Sequence, residues 1–236
     1  MKEHPIIFST PMVQALLEGR KTQTRRLIKP QPAPKMTEGF CGLDGIFRFS
    51  KPTALHPVSH SDDDRKCPLG KPGDLLWVRE AWSQWETDNG FKIPCQYRFK
   101  TDRDITPDVK WRPSIHMPKS AARIWLQVEE VRVERLQDIS QNDAMNEGVE
   151  SWNEDYRTEP GSLLADWKNY QWKDDPKCVS YDFPSYANPV LSFASLWQSI
   201  YGVESWEANP WLWVLKFKVL STTGRPAIAE QEAAAS

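Results

Sequence analysis

The sequence predicts an α+β fold, specifically a small mixed β-barrel with short flanking helices and two long insertions. Segments typical of strands outnumber those typical of helices along the 236 residues. The helical segments are short, and they do not alternate with strands in the βαβ rhythm of a parallel α/β sheet. Residues 29–71 and 149–190 are rich in proline or charge and lack a clear period. We therefore expect one domain over residues 1–221, insertions at those two ranges, and a flexible tail at 222–236.

The N-terminal segment predicts a strand, a short helix and a second strand. Residues 6–9 form an apolar run that is typical of a strand. Thr10 is a suitable N-cap for the next helix because Pro11 would occupy its first position. Gly19 is suited to end that helix. Residues 21–28 are rich in threonine and read as an extended segment.

The later strands are expected at residues 75–79, 95–99, 122–135 and 211–220. The first of them follows a turn at residues 72–74. Within the longest, the apolar positions change parity between Val128 and Val131, which predicts a bulge near Glu129 and Glu130.

Two further helices are expected in the C-terminal half of the chain. Ser140 is a suitable N-cap for a short helix that ends near Gly148. Residues 193–201 show helical spacing, which places four apolar side chains on one face: Phe193, Leu196, Trp197 and Ile200.

The overall charge predicts no general attraction to nucleic acid. Thirty Lys and Arg are balanced by 32 Asp and Glu, so the formal net charge is −2 and any basic site must be local. The four cysteines form no CxxC pair and match no standard zinc spacing. Since we also find no signal segment and no long apolar run, we expect a cytoplasmic protein with no membrane span, no metal and no cofactor.

The most strongly basic stretch of the chain is EGRKTQTRRLIKP, residues 18–30, which carries five Lys or Arg. It reads equally as a solvated strand, a phosphate-binding patch or part of an active site. In a regular strand Thr24 and Arg26 share one face, whereas Arg25 lies on the other. Lys21 can converge with Thr24 only if it still lies in the turn before the strand begins. The glycine at the end of the preceding helix makes such a turn the expected geometry.

Several motifs, taken in order, resemble the ASCH domain, a PUA-related β-barrel family linked to RNA and modified nucleosides. LLEGRKTQTRR contains the G-x-K-x-x-x-x-R signature of that family. It is followed by KPGDLLWVREAW, WRPSIHMPKSAARI, VRVERLQDISQNDAMNEGV and FASLWQSIYG, which resemble the larger ASCH-like proteins of phages and prophages. A final strand, WVLKFKVL, matches the family's order of elements. The resemblance covers most of the chain outside the two insertions, and it implies a PUA-like mixed barrel.

Two of these stretches also resemble the small N4-acetylcytidine amidohydrolases of the same family. Their active site uses a Lys, a Thr and a Glu. GRKTQTRR matches their Gly-Arg-Lys-Thr-x-Thr-x-Arg stretch, which implicates Lys21 and Thr24 in catalysis and Arg26 in substrate binding. ISQNDAMNE is similar to their L-T-x-x-x-A-x-x-E helix, which implicates Glu147 as the third catalytic residue.

These residue types suit amide hydrolysis. The hydroxyl of Thr24 would attack an acyl carbonyl after losing its proton to Lys21, since burial favours the neutral amine of a lysine. Glu147 would orient that lysine, relay a proton to the leaving amine, or activate a water instead. Arg26 or backbone N–H groups would stabilise the oxyanion. Neither route requires a metal.

Other candidate substrate-binding residues lie near the middle of the chain. Arg79 and Glu80 alternate along a strand, so only one of them can face a barrel interior; for Glu80 the alternative is an ion pair at the strand end. Trp77 is a candidate for stacking on a base, with core packing as the alternative. His116 lies among prolines and would contact a base or phosphate, or be structural.

The resemblance thus implies a metal-independent amidohydrolase acting on N4-acylated cytidine, with a small nucleoside or base, or RNA, as its partner. Two alternatives remain. One is an RNA- or modified-base-binding module without turnover, and the other is an ASCH-type ribonuclease. The acyl group and the oligomeric state are left open by the sequence.

Overall fold

The computed structural model describes residues 1–32, 38–41, 46–50, 63–86, 92–102, 109–151, 167–170 and 188–227. Its strands are β1 (Glu3–Ile7), β2 (Gln23–Leu27), β3 (Glu38–Cys41), β4 (Phe47–Ser50), β5 (Asp63–Arg65), β6 (Leu75–Arg79), β7 (Trp82–Glu86), β8 (Lys92–Phe99), β9 (Trp125–Arg135) and β10 (Trp211–Ser221). Its α-helices are α1 (Thr10–Leu17), α2 (Gln141–Asn146), α3 (Pro189–Tyr201) and α4 (Glu204–Glu207). No helix within the described residues is long and apolar enough to cross a membrane.

The α+β class is confirmed by a mixed sheet accompanied by short helices. Five strands pair in the order β1-β6-β9-β10-β2, with β1 parallel and β9 antiparallel to β6. Among the described residues no pairing joins the two end strands, so the closed barrel that we expected is not observed there. The remaining strands pair among themselves, as a β3-β4-β5 sheet and a β7-β8 hairpin, and so do not close the larger sheet.

Two compact units account for the chain. One contains Met1–Thr22, Lys66–Val131 and Leu215–Ser236, and the other contains Gln23–Arg65 and Arg132–Val214. We call them unit 1 and unit 2. The expectation of a single domain over residues 1–221 stays a prediction, and residues 228–236 of the expected tail lie outside the described residues.

The first two elements of unit 1 begin earlier than the sequence predicts. Strand β1 starts at Glu3 instead of residue 6 because it pairs with β6 along its whole length. Thr10 is already helical, so that Ser9 is the N-cap of α1; its carbonyl accepts the first helical hydrogen bond, from the Val13 N–H. Pro11 lies in the first turn, as expected.

The turn between α1 and β2 has the predicted form. Gly19 ends the helix with φ of +77°, a left-handed conformation that favours glycine. The Lys21 N–H then donates to the Ala15 carbonyl at 3.0 Å, and β2 begins only at Gln23. Lys21 therefore lies in the turn before the strand, as it must if its side chain is to converge with that of Thr24.

Unit 1 also contains an apolar cluster built on β6, β7 and β8. Its buried members are Leu75, Trp82, Phe99, Met117, Ala121, Ala122 and Trp125. The strand predicted at residues 95–99 belongs to the longer β8, and its partner β7 was not predicted. The strand at residues 75–79 and the turn before it are confirmed.

Part of the first expected insertion is a packed β-sheet of unit 2. Strands β3, β4 and β5 are antiparallel, and Phe47 and Phe49 are buried. Their rings meet the rings of Trp213 and Trp211 edge-on, at centroid distances of 4.9 and 5.2 Å. The expectation of an irregular surface insertion is wrong here, because the two alternating phenylalanines of Phe-Arg-Phe find apolar partners far along the chain.

Unit 2 has an apolar core around α2 and α3, with Leu136, Phe193, Trp197 and Leu212 among its buried members. Helix α3 starts at Pro189, four residues before the predicted start, and the Asn188 side chain caps it. Ile200, which we expected on the buried face, is half exposed.

A short part of the second expected insertion packs on α3. Ser192 Oγ donates to the Lys168 carbonyl at 2.6 Å, and the Tyr170 N–H donates to Ser195 Oγ at 3.0 Å. Residues 152–166 and 171–187 of this insertion lie outside the described residues.

The long strands β9 and β10 confirm two further predictions, with small differences at their ends. In β9, Glu129 and Glu130 are both exposed between the buried Val128 and Val131, as the predicted change of parity requires. The bulge itself stays a prediction.

Candidate functional site

Lys21 is among the most deeply buried side chains of unit 1. The residue is 1% exposed, and its Nζ lies 5.6 Å from the centroid of the Phe8 ring. Lysine is almost never buried to this extent in soluble proteins unless its ammonium is paired. The sequence predicted a functional lysine here, and its burial distinguishes it from a solvated basic residue.

Thr24 and Glu147 both belong to unit 2, and both are buried, with exposures of 2% and 5%. Thr24 lies in β2. Glu147 lies at the C-cap of α2, directly before Gly148, whose φ is +87°. The joint action of Lys21 with these two residues stays a prediction.

The position of Glu147 follows from a short, well-defined helix. Ser140 caps it as predicted, its Oγ accepting from the Asp143 N–H at 3.1 Å. The Glu147 N–H closes the last turn on the Asp143 carbonyl at 2.9 Å. Because Asp143 and Glu147 are four residues apart, they lie on the same side of the helix.

Arg25 faces both of these carboxylates, which the sequence did not predict. Its side chain is 1% exposed. Nη1 donates to Glu147 Oε1 at 3.1 Å, Nη2 donates to Glu134 Oε2 at 2.9 Å, and Nη2 lies 3.4 Å from Asp143 Oδ2. The guanidinium also lies 5.9 Å from the centroid of the Phe193 ring. Arg25 is therefore a buried, ion-paired residue and not part of a solvated strand face.

A second arginine extends this cluster. Arg132 donates to Glu134 and, at 3.2 Å, to Asp143 Oδ1. Desolvation acts to raise the pKa of Asp143, but the hydrogen bond with Ser140 and the charges of Arg25 and Arg132 outweigh it, so that the pKa lies below its ordinary value. We call Arg25, Arg132, Glu134, Asp143 and Glu147 the arginine–carboxylate cluster.

Arg26, the predicted substrate-binding arginine, is half-buried in unit 2. Burial lowers its pKa, while the nearby Tyr201 and Glu147 oppose that effect. Arg26 is thus close enough to Glu147 for the two charges to interact. Its role towards a substrate stays a prediction.

The predicted substrate-binding residues of unit 1 lie near its apolar cluster. Trp77 is partly buried and packs against that cluster. The Arg79 guanidinium lies 5.4 Å from the centroid of the Trp77 ring and donates to the Ile115 carbonyl. His116 is exposed at the end of the short 3-10 turn, Ser114–His116, that also contains Ile115. Their binding roles stay predictions.

Glu80 forms the ion pair that the sequence offered as its alternative role. It is 1% exposed, and its Oε1 accepts from Arg123 Nε at 3.0 Å. Thr101 Oγ1 donates to the other oxygen at 3.1 Å, and Arg123 also holds Asp102 at 2.8 Å. These contacts explain the burial of Glu80 by structure alone.

The basic stretch at residues 18–30 is not a uniform charged surface. Arg20 Nε donates to Glu18 at 2.8 Å, Lys21 is buried, and Arg25 is committed to carboxylates. Among the described residues, no group of three or more His, Cys, Asp or Glu is placed to hold a metal ion.

Comparisons of the chain with protein-family models, with curated proteins and with solved structures found no match. The resemblance to the ASCH domain therefore rests on the quoted motifs and stays a prediction.

Proposed function

We propose that this protein is a metal-independent amidohydrolase that removes the acyl group from N4 of cytidine-type nucleosides or bases. Lys21, Thr24 and Glu147 are its catalytic residues. The observation that carries the proposal is that all three motif-matched side chains are buried, at 1%, 2% and 5% exposure. Burial of polar side chains is costly unless they are paired, and a group of them at motif-matched positions is a candidate for a functional site.

The reaction follows from the chemistry of the three groups. The amine of Lys21 takes the proton of Thr24 as its Oγ1 forms a bond to the acyl carbon. The resulting oxyanion is stabilised by Arg26 or by backbone N–H groups. When the C–N4 bond breaks, the lysine proton passes to N4, and cytidine leaves as the free amine. Water then hydrolyses the threonyl ester, which releases the carboxylic acid and regenerates the hydroxyl.

The Arg25 contact favours one of the roles considered for Glu147. A carboxylate that accepts a charge-assisted hydrogen bond from a guanidinium is better suited to accept further hydrogen bonds, from the Lys21 amine and from the ammonium that it becomes, than to donate a proton. We assign to Glu147 the orientation of Lys21. Four residues are assigned to substrate binding: Arg26, Trp77, Arg79 and His116. Glu80, the fifth candidate from the sequence, is committed to its ion pair with Arg123.

A PUA-like ASCH fold is part of the proposal. The mixed five-stranded sheet, its short helices and the helix–turn–strand that presents Lys21 and Thr24 support it. The commitments of Arg20 and Arg25 to carboxylates weigh against a phosphate-binding patch at residues 18–30. RNA binding without turnover and RNA cleavage are the two alternatives, and the experiment below distinguishes them from amide hydrolysis.

The test is incubation with N4-acetylcytidine, followed through the change in ultraviolet absorbance on deacetylation. We expect turnover by the native protein, and losses of about 10³-fold or more in kcat for Lys21→Ala and Thr24→Ala. Thr24→Ser, which keeps a hydroxyl, should retain more activity than Thr24→Ala. Glu129→Gln, a change at an exposed carboxylate, is the matched control for Glu147→Gln.

Three outcomes would contradict the proposal. No turnover at high enzyme concentration, together with salt-dependent binding of single-stranded RNA, would identify a binding module. Cleavage of labelled RNA that persists in Thr24→Ala would identify a ribonuclease. Activity lost on dialysis against EDTA and restored by zinc would contradict the metal-independent mechanism.

A further inference from the structure

Glu147 is a carboxylate in an unfavourable place. It is buried, and it lies at the C-terminal end of α2, where unsatisfied carbonyl groups repel negative charge. Asp143, a second carboxylate, is on the same side of this helix. A buried carboxylate at such a position requires a cation close to it.

Arg25 supplies that cation, and its geometry is fixed from two sides. One terminal nitrogen donates to Glu147, and the other donates to Glu134 of strand β9. Because the guanidinium is planar and rigid, holding both nitrogens fixes its orientation. Nη2 also lies 3.4 Å from Asp143, and Arg132 holds Glu134 and Asp143 in turn.

We infer that Arg25 is a positioning residue, which fixes the carboxylate of Glu147 for the reaction proposed above. The inference rests on that proposed function for its kinetic consequences. Neighbouring residues of a strand point to opposite faces. The Arg25 side chain therefore lies on the face opposite to the one from which Thr24 would meet the substrate. Arg25 acts through Glu147 and does not touch the reacting atoms.

The kinetic test replaces Arg25 by methionine, which keeps much of the side-chain volume and removes the guanidinium. We expect Arg25→Met to lower kcat on N4-acetylcytidine by about 100-fold, with KM within about threefold, because a small displacement of a catalytic group costs about this much. In Glu147→Gln the same replacement should cost less than about twofold, since residues acting as a unit are not additive. An unchanged kcat in Arg25→Met, or losses that multiply in the double variant, would overturn the inference.

Arg132→Met is the matched control. It removes a cation of the same cluster whose hydrogen bonds include Glu134 and Asp143. We expect its kcat to fall clearly less than that of Arg25→Met, since the hydrogen bonds of Arg132 to Glu134 and Asp143 are one step removed from the contact between Arg25 and Glu147. A loss equal to that of Arg25→Met would mean that kcat depends on the total charge of the cluster and not on the hydrogen bond from Arg25 to Glu147. That outcome would contradict the inference.

Two further measurements keep the inference testable. Should Arg25→Met fail to fold by circular dichroism, Arg25→Lys replaces it: a single ammonium cannot hold Glu147 and Glu134 in the same fixed geometry, and we expect about a tenfold loss in kcat. Native kcat in Arg25→Lys would then overturn the inference.

Crystal structures of the native protein and the variant provide a readout without turnover. A displaced Glu147 carboxylate supports the inference even when native protein shows no activity, which refutes only the proposed function; an unmoved carboxylate overturns the inference even when the native protein is active.

Discussion

At the scale of single residues, burial separates the candidate catalytic groups from their charged neighbours. Lys21, Thr24 and Glu147 were identified by motif resemblance, and each of them is buried. Arg25 could not be predicted in this way because no motif marks it. Its partners were nevertheless visible as a pattern, since Asp143 and Glu147 are spaced to share one side of a predicted helix. Two like charges at that spacing are unfavourable unless a cation lies close to them.

The lowered pKa of Asp143 predicts a pH-dependent contribution to stability. A carboxyl whose pKa is lowered by folding stabilises the protein above its ordinary pKa of about 4, and this contribution is lost as the pH falls through the lower, folded-state value. The difference in unfolding free energy between native protein and Asp143→Asn should be largest at neutral pH and shrink below about pH 4. Urea unfolding at several pH values between 7 and 3 measures it. A difference that is constant over this range would contradict the assignment.

At the scale of elements, the turn between α1 and β2 is the best-predicted part of the molecule. The sequence indicated a helix ended by Gly19 and a strand beginning after Lys21, and both are observed. Local signals are sufficient here because a positive φ and a helix end are decided by a few neighbouring residues. The helix begins one residue earlier than expected, and β2 is shorter, Gln23–Leu27 instead of residues 21–28.

Gly19→Ala is expected to destabilise the protein by about 1–2 kcal/mol, because alanine is strained at a φ of +77°. An added Cβ would meet no atom within 4 Å, so the cost is conformational and not a clash. Gly19→Asn is the matched control and should cost less, since asparagine tolerates the left-handed region. Equal effects of both changes on the midpoint of urea unfolding would contradict this explanation.

The strands of the first insertion show where local signals fail. The sequence there is proline-rich, and Phe-Arg-Phe is too short an alternation to predict a strand with a core face. The burial of Phe47 and Phe49 depends on the rings of Trp213 and Trp211, which are more than 150 residues away along the chain.

Phe49→Ala should therefore destabilise the protein by about 3–5 kcal/mol, as for a buried aromatic side chain. The matched control is Asp64→Ala in the adjacent strand β5, a half-exposed carboxylate 3.8 Å from Arg48, which should cost no more than about 1 kcal/mol. Chemical denaturation measures both. A small effect of Phe49→Ala would mean that this sheet is an appendage and not part of the core of unit 2.

At the scale of the whole molecule, the secondary-structure content was predictable and the closure of the sheet was not. The absence of a βαβ rhythm excluded a parallel α/β fold, and the mixed sheet confirms this. The expected barrel assumed that the strands form one sheet, whereas β3 to β5 and β7 to β8 pair separately. Strand pairing is a non-local choice, which a list of strands does not contain.

The sequence by itself determined the α+β class, the order of most elements, the turn before β2 and the three motif-matched residues of the candidate site. Each of these depends on short-range periodicity, on backbone preferences or on a local motif. Only the tertiary structure decided that Lys21, Thr24 and Glu147 are buried, that Glu80 is held by Arg123, and that Arg25 holds Glu147. The reason is that burial and ion pairing are set by side chains distant along the chain; Arg25 and Glu147 are 122 residues apart. The same basic stretch that reads as a charged strand in sequence is thereby divided into a buried lysine, a paired surface arginine and an arginine that orders a carboxylate.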